Sequence, residues 1–371
     1  MRKITFTILS ILTGILLNAQ ESNVIQVING KVIDETNSPV SYTNIGLEGT
    51  YYGTASDAEG NFELKVPAEL ADRQIFFSAV GYKNRTFPLS DFFEKEFKLI
   101  RLESQSYDIE NIDINAQSMV LYRILRTATE NIPRNFANGP FNMGCTYEFE
   151  KIKEDENFSL KAQARIYDRT GYGILSVENA YKERKYSFSN VEKNYGSYLL
   201  SEGLTNLDEI LELDLARSVA TILNPVILSQ FVLNQEDDTK LNGTDVWVIG
   251  FNLAEPGLKG SGDYYASRFE GKIYINKNNY EIKKIEGWIR SEKQSRAGRG
   301  LAIGVNSDNY LENVVYDFTT SYNTEGLEFI SLHKNYKQNG IQINESSRLV
   351  VLDINSSSVI PISSRDYYIG E

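Results

Sequence analysis

One histidine and one cysteine occur in 371 residues, and those two counts bound the chemistry open to this chain. They cannot build a zinc site of the usual kind, and no H-E-x-x-H is present. Cys145 stands in the apolar-rich strand pattern Phe141 to Tyr147 and reads as a buried thiol acting as a small hydrophobe. Being alone, it forms no intramolecular disulfide. His333 lies in the alternating run Phe329 to Lys334 and reads as a surface or half-buried strand side chain. There is no G-x-S-x-G and hence no candidate elbow serine. Asp57, Glu59 and Asn61 alternate as a calcium loop begins, but glycine at the sixth position and an acid at the twelfth do not follow, so a tight turn is expected. The many carboxylates could pair as glycosidase acids, yet a sequence carries no separations in space. Arg290 to Gly300 is locally basic and suits either contact with anionic headgroups or, more simply, a solvated loop. Its glycines do not fit the dinucleotide-binding pattern. No catalytic, cofactor-binding or metal-binding residue is predicted, no cofactor is expected, and no ligand-binding residue can be named.

The chain carries 38 basic and 50 acidic side chains. Arg2 and Lys3 open it, Ile4 to Leu17 is mostly apolar, and Asn18-Ala19-Gln20 offers a small-residue cleavage site, the pattern of a secretory signal over residues 1–20. The apolar run is too short for a comfortable membrane span. Losing Arg2 and Lys3 leaves 36 basic against 50 acidic side chains, a net of −14. Such a surface repels phosphate backbones, so nucleic acid is not an expected partner.

The elements that would position these residues are mostly strands. From Val27 to Leu89 short strands alternate with turns at even spacing, marked by Asn29-Gly30, Asn37-Ser38-Pro39 and Ala58-Glu59-Gly60-Asn61. That spacing, with no helical period, predicts a seven-stranded-type β-sandwich over residues 24–103. Gly30 to Asp34, Pro39-Val40, Asn44-Ile45, Gly53-Thr54, Asp57 to Phe62 and Val80-Gly81-Tyr82 resemble the carboxypeptidase regulatory-like domain, a transthyretin-type sandwich of bacterial envelope proteins. The resemblance implies an accompanying domain without catalysis. Few features cross Glu103 to Tyr107, so residues 21–103 are expected to fold alone.

Residues 104–139 read as a helical connector. After an extended Asp108 to Ile114, Asn115 is the expected cap, Leu121, Ile124, Leu125, Ala128 and Ile132 form an apolar stripe, and Pro133 is the expected end. Residues 140–371 alternate as long antiparallel strands rich in tyrosine, which suits half-buried sheets. One apolar helix is expected to interrupt them, Leu207 to Leu223, with Asp214 and Arg217 its few interior charges. The hairpin GKIYINKNNYEIKKIEGWI after DVWVIGF resembles the half-barrel family of lipoprotein carriers and sorting proteins. That resemblance implies a mainly β chain ending in a curved antiparallel sheet packed on a helix, able to hold acyl chains, with the ligand space near Trp247 and Ile273 lined by apolar groups. It fixes no ligand residue.

The expectation is a non-enzymatic exported envelope protein, in the periplasm or on the periplasmic face of the outer membrane, with no transmembrane span after signal cleavage. It would be an interaction or scaffold module, with an envelope protein, lipid or lipoprotein as partner and an apolar ligand in the 140–371 domain. The alternatives are an envelope hydrolase acting on peptides or glycans, drawn only from the first family's name, and a structural module without a cavity.

Overall fold

A computed structural model describes residues 25–50, 52–57, 59–79, 82–93, 97–104, 114–173, 184–194, 207–237, 239–254, 256–263, 265–291 and 311–363. The signal segment 1–20, Ala58, Val80-Gly81, the extended stretch 108–113, Thr205-Asn206 and residues 292–300 of the basic run lie outside the described residues.

Seven short strands build the N-terminal sandwich: β1 (Ile25–Ile33), β2 (Asn44–Leu47), β3 (Gly53–Ala55), β4 (Asn61–Pro67), β5 (Gln74–Ser78), β6 (Arg85–Pro88) and β7 (Lys98–Arg101). They pair as two sheets, β4-β1-β7 and β3-β2-β5-β6. Alternation decides which side chains go in: Phe62, Leu64 and Val66 of β4 are buried while Asn61, Glu63 and Lys65 face out. With Ile28, Val32, Ile45, Phe77 and Phe92 they form a core separate from that of the remaining chain. The expected turn before β4 is there. Asp57 accepts the Glu59 and Asn61 amides at 3.0 and 2.7 Å, and Gly60, at φ +81°, sits where a Cβ would come within 2.4 Å of the Val32 carbonyl.

Eleven strands make one open sheet: β8 (Phe141–Lys153), β9 (Glu156–Asp168), β10 (Arg184–Lys193), β11 (Val232–Gln235), β12 (Thr239–Leu241), β13 (Thr244–Ala254), β14 (Arg268–Asn276), β15 (Ile282–Ser291), β16 (Leu311–Tyr322), β17 (Leu327–Gln338) and β18 (Ile341–Asn355). The order is β10-β9-β8-β18-β17-β16-β15-β14-β13-β11, with β12 also on β13, and every pairing is antiparallel. Period-2 alternation gives this sheet an apolar inner face, including Phe141, Met143, Cys145, Ile273, Ile275, Ile285, Phe318 and Leu332. This is the curved half-barrel expected from residues 140–371.

Two pieces of chain fill the inner face. The first is α1 (Ile114–Asn135), which buries Leu121, Ile124, Leu125, Ala128 and Ile132 there. The helix of the connector is thus part of the half-barrel core. It differs from expectation at both ends. Asn115 lies inside it, and Pro133 falls within the last turn, where its missing N–H costs one hydrogen bond without stopping the helix.

The second piece is dictated by topology. β10 and β11 are opposite edges of the sheet, so the chain between them must cross its full width. It crosses on the inner side, and the single helix expected over Leu207 to Leu223 is broken. The described part of the crossing, from residue 207 on, consists of α2 (Leu207–Leu211), α3 (Leu215–Ser218) and 3₁₀ turns at Thr221–Leu223 and Leu228–Gln230. Apolar periodicity alone favoured one rod. What broke it is Asp214, which caps α3 by accepting the Arg217 amide at 3.3 Å, and the turning of both charges toward partners on the sheet.

The outer face carries the sandwich, and side chains tie the two together across the Glu103–Tyr107 junction. Asn44 donates to Glu286 at 3.2 Å and to Thr319 at 2.9 Å, Ser78 donates to Glu286 at 3.1 Å, and Trp288 donates its indole hydrogen to the Tyr42 carbonyl at 2.9 Å. Lys272 reaches Asn84 at 2.8 Å. The two parts expected to be independent are thus joined through space by side-chain bonds. Because the sandwich keeps its own core, residues 21–103 expressed alone should still fold cooperatively, with a β-type circular dichroism spectrum and a sigmoidal melt; a disordered spectrum would refute an autonomous domain.

Candidate functional site

The inner face of the half-barrel and the segment covering it form the candidate site. Ile210, Leu213, Ala216, Ile222 and Leu223 of the cover are buried against the sheet and α1. Near Trp247 and Ile273, where the ligand space is expected, Ile273 is fully buried in the same apolar cluster as Ile222 of the cover. Polar ties hold the cover to the sheet and α1, among them Lys334 of β17 to Glu209 of α2 and the Thr129 hydroxyl to the Leu223 carbonyl. The Thr320 hydroxyl donates to the Leu213 carbonyl at 2.8 Å, the Tyr322 hydroxyl accepts the Ala216 amide at 3.2 Å, and Tyr122 of α1 donates to the Phe231 carbonyl at 2.7 Å. The backbone between α3 and the next turn is strained. Val219 and Thr221, both β-branched, have φ of +48° and +52°, a left-handed conformation costing about 1–2 kcal/mol per residue. The Thr221 hydroxyl is also buried with no hydrogen-bond partner among the described residues.

A charged cluster pins one end of this cover. Asp168, at the end of β9, accepts from Arg184 of β10 at 2.8 Å and from Arg217 of α3 at 2.7 and 3.0 Å. Its Oδ1 also takes the amides of Thr170 and Gly171. Asp214 lies 2.8 Å from Arg184 and accepts from the Tyr172 hydroxyl at 2.9 Å. All four charged side chains are at most 5% exposed. Burial alone would push the Asp168 carboxyl up, but the two guanidiniums outweigh it and hold the group well below the usual carboxylate range. Tyr172 is driven the other way, by burial and by the Asp214 charge. Two acids and two arginines balance, so the cluster is a neutral clamp joining two strands to the cover. Sequence reading marked Asp214 and Arg217 as odd charges in an apolar run but found neither Asp168 nor Arg184. The signal available was that odd pair itself, since buried charges require partners.

The outer face holds a second charged group, under the sandwich. Glu286 is fully buried and takes bonds from Lys284 at 2.8 Å and Tyr274 at 3.0 Å. Burial raises its carboxyl, but Lys284 and Lys272 win and hold it below its ordinary value. The Lys284 ammonium lies 4.2 Å from the centre of the Tyr274 ring and 4.6 Å from that of Phe76. This group ties the two domains together.

The residues weighed for chemistry are dispersed. Cys145 lies in the inner-face core and burial pushes its thiol well up, away from a reactive thiolate. His333 sits on β17, on the outer face, with Nδ1 3.0 Å from Asp317 of β16. Asp57 is committed to its own turn. Arg290, at the start of the basic run, pairs with Glu270 at 3.3 Å and stands over the Tyr42 ring. None of these meets another. Among the described residues no helix is long and apolar enough to cross a membrane.

Fold and site together define a mainly β protein in two parts: a small sandwich mounted on the back of an open half-barrel whose inside is packed with its own helical pieces. Residues 28–113 match the model of the CarboxypepD_reg-like domain. Among solved structures the chain is similar to a LolA superfamily protein from Nitrosomonas europaea, at 12% identity over 66% of this chain and 96% of that one, TM-score 0.25. It is also similar to the lipoprotein LppX of Mycobacterium tuberculosis, at 9% identity over 66% and 98%, TM-score 0.23. No curated protein matches it.

Proposed function

We propose that this chain is a non-enzymatic envelope module that takes up an apolar ligand, an acyl chain of a lipid or lipoprotein, on the inner face of the half-barrel. One observation carries the reading: an apolar sheet is covered by a segment broken into four short pieces and strained at Val219 and Thr221. A well-packed core has no need of such a cover; a continuous helix would bury the same face with less strain. Access is at one end of the cover. At the β11 edge Val226 and Val232 are 82% and 69% exposed, and Met119 stands one turn from Tyr122, which binds the Phe231 carbonyl. The clamp at Asp168 would keep the far end of the cover in place while this end lifts. The absence of enzymatic activity is supported by a thiol sealed in the core and by a histidine whose one hydrogen-bond partner among the described residues is Asp317.

The test is titration with cis-parinaric acid, a fluorescent fatty acid, where saturable enhancement at micromolar concentration is expected. Thr221→Gly removes both the positive-φ strain and the orphaned hydroxyl. It should stabilise the closed protein by about 1 kcal/mol, raising the melting temperature, and weaken binding about fivefold. No enhancement, or equal binding by the variant despite its higher melting temperature, would overturn the proposal. Export is tested separately. Intact mass of protein taken from its native envelope should lack the residues through Ala19 or Gln20, and a chain still beginning at Met1 would count against the signal reading.

A further inference from the structure

Five large apolar side chains gather on the surface at the access end of the cover. Met119 and Val120 of α1, Val226 of the cover, Val232 of β11 and Leu258 of α4 (Gly257–Ser261) are 43% to 82% exposed. Their elements touch: α1 packs on β11 and on the turn Thr221–Leu223, and α4 packs on that same turn. Single exposed apolar residues are ordinary, whereas a cluster marks an interaction surface. Cations rim this one. Arg123 and Arg126 follow Met119 at helical spacing on the exposed face of α1, and Lys259 follows Leu258. None of the three is in an ion pair among the described residues. The exposed acids of α1 and of the β11 segment stand farther off. Glu130 lies about 16 Å along α1 from Met119, and Asp237 about 17 Å along the strand direction from Val232. The patch is thus cationic in a chain of net charge −12.

We infer that this patch docks the protein on an anionic lipid surface, with its apolar side chains entering the acyl boundary and its cations lying among the headgroups. Apolar side chains flanked by arginine and lysine match both layers of such an interface. The local positive charge also orients an otherwise acidic protein, because the bilayer repels its other faces and attracts this end. A second copy of the chain is a poorer occupant, since a two-fold contact through the patch would set arginines against arginines. The inference rests on the acyl-uptake reading only for what docking achieves, which is to bring the lifting end of the cover to the bilayer that holds the ligand.

Residues 21–371 keep every described element and lack the apolar run Ile4 to Leu17, so they suit a flotation assay. The protein should float with vesicles of equal parts phosphatidylethanolamine and phosphatidylglycerol. Its affinity should be about tenfold lower on phosphatidylcholine vesicles, and about tenfold lower at about 0.5 M salt than at about 0.05 M. Val226→Ser/Val232→Ser and Arg123→Gln/Arg126→Gln should each weaken binding about tenfold or more with unchanged melting, because all four side chains are exposed. Val27→Ser/Leu99→Ser, which alters exposed apolar groups of the sandwich, should bind like the parent. No flotation, equal binding to phosphatidylcholine, or binding that survives in both patch variants would overturn the assignment. So would a dimer in solution that Val226→Ser/Val232→Ser dissolves, which would give the patch to a second copy. Vesicle binding without cis-parinaric acid uptake would remove the acyl site and leave the docking surface standing; uptake without vesicle binding would do the reverse.

Discussion

Asp168→Asn is expected to lower the stability of the protein by about 3–5 kcal/mol, read as a fall of about 10 °C or more in melting temperature. The change is nearly isosteric, so volume plays no part. It removes one of two negative charges facing Arg184 and Arg217, which are 5% and 4% exposed. A buried charge that has lost its partner keeps its desolvation cost and forfeits the attraction that offset it. The double variant Asp168→Asn/Arg217→Met restores neutrality, and should recover about 2 kcal/mol relative to the sum of the single variants. Additive losses would mean that the two side chains do not act as a pair. The same group shapes the acid response. Its folded pKa lies below its unfolded one, so the unfolded chain takes up the proton first as pH falls. The stabilisation is therefore complete above about pH 4, the unfolded value, and is lost as pH drops through the lower folded value. Glu286 is shifted in the same direction and adds to the slope. Urea midpoints measured below pH 4 should fall with pH in the parent and less steeply in Asp168→Asn.

Ile222→Asp is the second large effect expected. Ile222 is fully buried in the cover, within a 3₁₀ turn packed on the inner face. An aspartate there meets apolar neighbours and should cost more than about 4 kcal/mol. The melt should lose its cooperativity or soluble yield should drop sharply. A variant melting like its parent would place Ile222 on the surface and remove the half-barrel cover altogether, and with it the proposed acyl site. Ile222→Val, which removes one methylene, serves as the comparison and should cost only about 1 kcal/mol.

Much of this architecture was legible in the order of residues. Turn chemistry around Gly60 and alternation through β4 are local, and local patterns survive into the fold because they depend on neighbours a few positions away. The same holds for β14 and β15, whose alternating arms flank Asn276 to Asn279. The apolar stripe of α1 announced a buried face, but not which sheet it would meet. The cover shows where local reading stops. A run from Leu207 to Leu223 has the composition of one helix, and periodicity has no term for a charge seeking a partner some fifty residues upstream. Arg217 bonds to Asp168, and that pairing is a matter of three dimensions.

The sequence by itself determined that this protein is mainly β and that it comprises a sandwich followed by a large antiparallel sheet. Those properties follow from composition, period and turn residues. Only the tertiary structure decided that β10 and β11 are opposite edges, so that the chain between them must become a cover. It alone decided that the sandwich rides on the outer face through Asn44, Ser78 and Glu286, and that His333 therefore looks into a cleft. The physical reason is the same in each case. Strand order and the pairing of buried charges are set by which distant segments can satisfy one another's polar groups while sharing one apolar face, and no short window of residues contains that choice.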